Sequence, residues 1–124
     1  MDQAKIMIVD NEPFTLKIVS KMLEKEGYAV STALNGVECL EKLEHEKPDI
    51  LLMDIMMPEM SGWEVVKRVR DDPKLNGITI LMLSAKQKEM DEGLLHLADG
   101  YIAKPFDRKT FLANIRTMLD KKGE

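Results

Sequence analysis

Short apolar runs alternate along this chain with longer segments in which apolar residues return every third or fourth position. Ile6-Met7-Ile8-Val9, Ile50-Leu51-Leu52-Met53 and Ile80-Leu81-Met82-Leu83 are continuous, the form taken by strands buried on both faces. Helical periods lie between them. Pro13 opens the first at a position where its missing N–H would have lacked a partner, Leu16, Val19, Met22 and Leu23 form its stripe, and Gly27 stops it. After a strand from Tyr28 to Ala33, Asn35-Gly36 turns into a second helix bearing Val37, Leu40 and Leu43. Pro48 marks the return to a strand ending at Asp54. Ser61-x-x-Glu64 has the form of a capping box heading a third helix with Val65, Val66 and Val69, which Asp72-Pro73 ends.

The stretch from Lys86 to Leu97 has a helical pattern interrupted by Gly93, a residue that costs about 1 kcal/mol relative to alanine. Tyr101 to Ala103 is a short fifth strand. Asp107 then caps a final helix carrying Phe111, Leu112, Ile115, Met118 and Leu119. Strand and helix thus alternate five times. Parallel strands need such crossovers, and right-handed ones put helices on both faces, so the expected fold is α/β, a (βα)5 doubly wound five-stranded parallel sheet.

Composition narrows the picture. At 124 residues the chain reads as one domain, 1–124, with 44% hydrophobic and 32% charged residues, ordinary for a globular protein. No apolar run approaches a membrane span, and the N-terminus lacks the pattern of a signal peptide, which predicts a cytoplasmic location and no membrane partner. The net charge is −4 with acids and bases interspersed, so direct nucleic-acid binding is not expected. The single cysteine, Cys39, excludes an internal disulfide and reads as a small buried hydrophobe in the second helix.

The chemistry lies where the strands end. The first apolar run passes into Asp10-Asn11-Glu12, the third into Asp54, the fourth into Ser84, and Lys104 follows the fifth. Open α/β sheets bind their ligands at that edge. Met53, Met56, Met57, Met60 and Met82 also gather there, mostly as core filling, and Trp63 belongs near the rim. His45 and His96 have no metal-ligand partners and read as surface residues.

Four segments carry a resemblance to a known family: Val9-Asp10-Asn11-Glu12-Pro13, Met53-Asp54-Ile55-Met56-Met57-Pro58-Glu59-Met60-Ser61-Gly62, Leu83-Ser84-Ala85, and Gly100-Tyr101-Ile102-Ala103-Lys104-Pro105-Phe106. In this order and spacing they resemble the receiver domain of two-component response regulators, over essentially the whole chain. The resemblance implies a flavodoxin-like fold and a phosphorylatable switch. Asp54 would be the phosphoacceptor for a sensor histidine kinase or phosphotransfer protein. Lys104 and the Ser84 hydroxyl would contact the phosphoryl oxygens. Mg2+ would be held by Asp10, Asn11, Asp54 and the Met56 carbonyl, an all-oxygen set suited to that ion. Ser84 and Tyr101 would form the switch pair, and the readout would go to a downstream protein or an attached output domain. Such a domain catalyses its own phosphorylation and dephosphorylation without turning over an external substrate. Pro105 is a candidate cis proline.

Two departures qualify the resemblance. Asn11 stands where the family usually has an aspartate, which removes a charge from the metal site and keeps open a second class, a pseudo-receiver that binds proteins without phosphorylation. The stretch from Ser84 to Tyr101 is also shorter than usual, so the helix there is expected to be truncated. A flavin carrier of the same architecture fits poorly, because Asp10-Asn11-Glu12-Pro13 would repel a phosphate where a phosphate loop is needed.

Overall fold

The computed structural model describes residues 3–84 and 93–122. Its elements are β1 (Lys5–Val9), α1 (Pro13–Lys25), β2 (Ala29–Ala33), α2 (Gly36–Leu43), β3 (Ile50–Asp54), α3 (Gly62–Asp71), β4 (Thr79–Ser84), a 3-10 turn (Leu95–Leu97), β5 (Gly100–Ala103) and α4 (Arg108–Lys122). The strands form one sheet in the order β2-β1-β3-β4-β5, and every pairing is parallel.

Alternation along the central strands sorts their side chains into two layers. Met7, Val9, Leu51, Met53, Ile80 and Met82 pack with Cys39 and Leu43 of α2 and Val65, Val66 and Val69 of α3. Ile6, Ile8, Ile50, Leu52, Leu81 and Leu83 pack on the other face with Leu16, Val19 and Leu23 of α1 and Phe111 and Ile115 of α4. The runs in β1, β3 and β4 are therefore apolar throughout because both faces are covered. That is the doubly wound sheet the sequence predicted.

Two caps, at Ser61 and Asp107, follow expectation, and Asn35 supplies a third. Asn35 accepts the Glu38 N–H through Oδ1 at 2.8 Å, Ser61 Oγ accepts the Glu64 N–H at 3.3 Å, and Asp107 Oδ1 accepts the Thr110 N–H at 2.7 Å. Gly27 leaves α1 at φ +91°, a backbone region open to glycine. One expectation fails. Val37 is 51% exposed, because α2 turns Gly36, Cys39 and Leu43 inward and Val37 falls out of that phase. Cys39 takes the inward place, and burial pushes its thiol up to about 12, with the Glu38 charge adding to it. It is an inert core residue.

Among the described residues there are four α-helices. Most of the Lys86–Leu97 segment lies outside the described residues, as do Ala85 and the C-terminal Gly123-Glu124. The part described before β5 is the 3-10 turn.

Candidate functional site

All strands run the same way, so the ends of β1, β3, β4 and β5 meet at one edge of the sheet. The chain leaves β1 for β2 on one side, while β3 lies on the other, which opens a crevice between β1 and β3. Asp10 and Asp54 sit there. Among the described residues the buried polar or charged side chains are Asp10, Asp54 and Ser84, all on this edge. Buried carboxylates need partners, since desolvation disfavours their charge.

Lys104 is that partner. Its Nζ donates to Asp10 Oδ2 at 3.0 Å and to Asp54 Oδ1 at 3.4 Å. The Lys104 N–H donates to the Ser84 carbonyl at 2.7 Å, and the cis Lys104–Pro105 bond follows directly. Asp10 Oδ1 is taken by the Glu12 N–H at 2.9 Å. Burial pushes the Asp54 carboxyl up to about 6, with Lys104 opposing that rise, Asp10 adding to it, and the Met56 N–H opposing it by donating to the carboxylate. Burial works against the Lys104 ammonium, but hydrogen bonds and charge from Asp10 and Asp54 outweigh it and raise its pKa.

The loop after Asp54 is drawn tight. The Gly62 N–H donates to the Ile55 carbonyl at 2.9 Å, and a Cβ on Gly62 would lie 2.2 Å from the Asp54 carbonyl oxygen. Only glycine lets the first turn of α3 come so close. Glu59 holds a left-handed backbone at φ 68°, which costs a non-glycine residue roughly 1–2 kcal/mol.

Comparison with known proteins identifies the family and agrees with the fold. Residues 6–116 match the model of the family described as the response regulator receiver domain. The chain belongs to that family. It is 40% identical over 117 residues to the alkaline phosphatase synthesis transcriptional regulatory protein PhoP of Bacillus subtilis, covering 93% of this chain and 48% of PhoP. It is 35% identical to protein PilH of Pseudomonas aeruginosa, covering 94% of this chain and 98% of PilH. The receiver thus spans about half of PhoP and nearly all of PilH. Among solved structures, chemotaxis response regulator CheY4 of Vibrio cholerae matches with a TM-score of 0.85 and 32% identity, over 94% of this chain and 99% of CheY4. TrrA of Thermotoga maritima, solved in complex with Mg(2+)-BeF, matches with a TM-score of 0.85 and 30% identity over 94% and 99%.

The receiver brings Asp10, Asp54 and Lys104 into direct contact and buries Ser84 on the same edge. Asn11 and the Met56 side chain are exposed beside the pocket, while the Met56 main chain faces Asp54. Met53, Met57 and Met82 are core residues. Tyr101 stands at the outer margin, 36% exposed, its hydroxyl donating to the Leu95 carbonyl and its ring 6.5 Å from the buried Trp63. His45 and His96 are exposed.

The donors present fit a hard dication. Two buried carboxylates side by side match an ion that takes one or two carboxylates and keeps several waters. Among the described residues no group of three or more His, Cys, Asp or Glu converges. Among them, too, no helix is long and apolar enough to cross a membrane. The sequence presents Gly62 only as the last residue of the motif after Asp54, with no sign of its contact with the Asp54 carbonyl, and gives no sign of Arg70 or Asp99. Hydrophobic period gives no signal for a polar contact between distant segments.

Proposed function

We propose that this receiver takes a phosphoryl group onto Asp54 from the phosphohistidine of a sensor histidine kinase or phosphotransfer protein, in a Mg2+-dependent reaction. The observation that carries the reading is the paired burial of Asp10 and Asp54 with one ammonium bonded to both. An Asp54 carboxyl near 6 is ionised at neutral pH and more basic than an ordinary aspartate, which favours it as a nucleophile. Attack forms an O–P bond as the donor P–N bond breaks; the imidazole leaves with the electron pair and recovers a proton from solvent.

Such transfers depend on positioning and charge neutralisation. Asp54 is positioned by β3, by the Met56 N–H and by the packed start of α3. Lys104 can shift from its carboxylate partners to the phosphoryl oxygens, and the Ser84 hydroxyl can donate to another. Asp10, Asp54, the Met56 carbonyl and the Asn11 amide oxygen would hold Mg2+, which when bound would supply positive charge to offset that of the phosphoryl group. Phe14 and Ile18, one turn apart and exposed on α1, offer the donor an apolar face beside the pocket. The new charge would act on Ser84 and Tyr101 and be read, in the cytoplasm, by a downstream protein or an attached output domain. Asn11 reduces the charge of the metal side without removing the acceptor, so the non-phosphorylated reading is not adopted.

Beryllofluoride with Mg2+ tests the proposal. Trp63 fluorescence should change on addition and remain unchanged in Asp54→Asn. A parent protein with no response would sink it.

A further inference from the structure

We infer that Arg70, at the far end of the sheet from Asp54, is a positioning residue for Lys104, because it fixes the register of β5 on β4. β5 is an edge strand of four residues, and Ile102 is its one buried side chain. Packing alone holds such a strand weakly in register. A slip of one residue would send Ile102 outward, exchange it with Tyr101, and carry Lys104 about 3.3 Å along and onto the opposite face.

The start of β5 is held by polar contacts instead. The Asp99 N–H donates to the Ile80 carbonyl at 2.8 Å, while Asp99 Oδ2 accepts the Ile80 N–H at 2.7 Å. Residue 99 thereby grips both main-chain groups of residue 80, one step below the Leu81–Gly100 pair. Arg70 locks that grip. Its Nη2 donates to Asp99 Oδ2 at 2.9 Å, its Nε to the Leu97 carbonyl at 2.7 Å, and its Nη1 to the carbonyls of Asn76 and Ile78 at 2.8 and 2.7 Å. A planar guanidinium can serve these directions at once; an ammonium cannot.

α3 makes the link mechanical. Its ten residues span about 15 Å, with Gly62 pressed against the Asp54 carbonyl at one end and Arg70 on the β5 entry at the other. One rigid helix therefore relates the carboxylate to the strand that delivers Lys104. The inference rests on the observed contacts of Lys104; only its consequence for phosphoryl capture rests on the proposed role of Asp54.

Amide hydrogen exchange on the full chain tests it. In Arg70→Gln the Lys104 N–H, which donates to Ser84, should lose protection roughly 100-fold, while the Met7 and Leu52 amides of the central strands change by less than about threefold. The carboxyl carbon resonances of Asp10 and Asp54 should shift together as the lysine moves. Arg70→Lys should fail to restore protection. Asp99→Asn keeps an acceptor for the Ile80 N–H and gives a smaller selective loss, which serves if Arg70→Gln does not fold. Equal loss at all these amides, or an unchanged Lys104 amide, would overturn the inference. Selective loosening of β5 in a protein that takes up no beryllofluoride would uphold it and refute the Asp54 reading.

Discussion

The acidic half of the pocket and its cationic half are held by different forces. Asp10 and Asp54 end β1 and β3, interior strands buried on both faces by side chains of both core layers. Lys104 ends β5, an edge strand with one buried side chain whose entry is fixed by hydrogen bonds from Asp99 and Arg70. Apolar packing is non-directional but extensive, so it fixes the carboxylates rigidly. Hydrogen bonds at an edge are directional and few. The two carboxylates are thus held firmly, and the cation bonded to both is carried on the more yielding strand.

The two glycines against these strands give the largest test of that contrast. Gly62→Ala would set a methyl 2.2 Å from the Asp54 backbone oxygen, which cannot retreat without moving β3; it should cost about 3 kcal/mol or more. Gly100→Ala would meet only the flexible ends of Leu81 and Met118, each at 2.9 Å, and should cost about 1 kcal/mol. Urea unfolding of both variants checks the difference. Equal costs would erase the distinction between a rigid centre and a yielding edge.

A smaller effect comes from the charge of Asp54. Its carboxyl rises from 3.8 to about 6 on folding, so the folded state holds the proton more tightly than the unfolded one. The ionised group therefore costs stability above about pH 6, and that cost is relieved as pH falls from 6 to 4. Asp54→Asn should be more stable than the parent at pH 8 by on the order of 2 kcal/mol. The gap should close by pH 4, as thermal unfolding across that range would show. A gap that widened on acidification would mean that Lys104 outweighs burial.

The smallest effect is on the metal side. Asn11→Asp restores a carboxylate and should strengthen Mg2+ binding by roughly 1–2 kcal/mol, about tenfold, in a Trp63 fluorescence titration. Equal affinities would mean that Asn11 ligates as well as an aspartate.

The same contrast explains what was legible in the sequence. Continuous apolar runs announced β1, β3 and β4, and the polar residue after each run announced Asp10, Asp54 and Ser84. Caps at Ser61 and Asp107 were readable because they act over three residues. Val37 misled because a phase set by Gly36 and Cys39 does not show in a list of large apolar residues. The Arg70–Asp99 pair was invisible for a deeper reason. Its partners are 29 residues apart, and neither belongs to a periodic pattern.

Everything proposed for this receiver turns on Asp54 as the phosphoryl acceptor. Incubation with acetyl phosphate and Mg2+, followed by intact-mass measurement and peptide mapping, tests it most directly. One added phosphoryl group is expected, on the peptide containing Asp54, absent in Asp54→Asn and absent without Mg2+. An unmodified protein, or a phosphoryl group on any other residue, would contradict it.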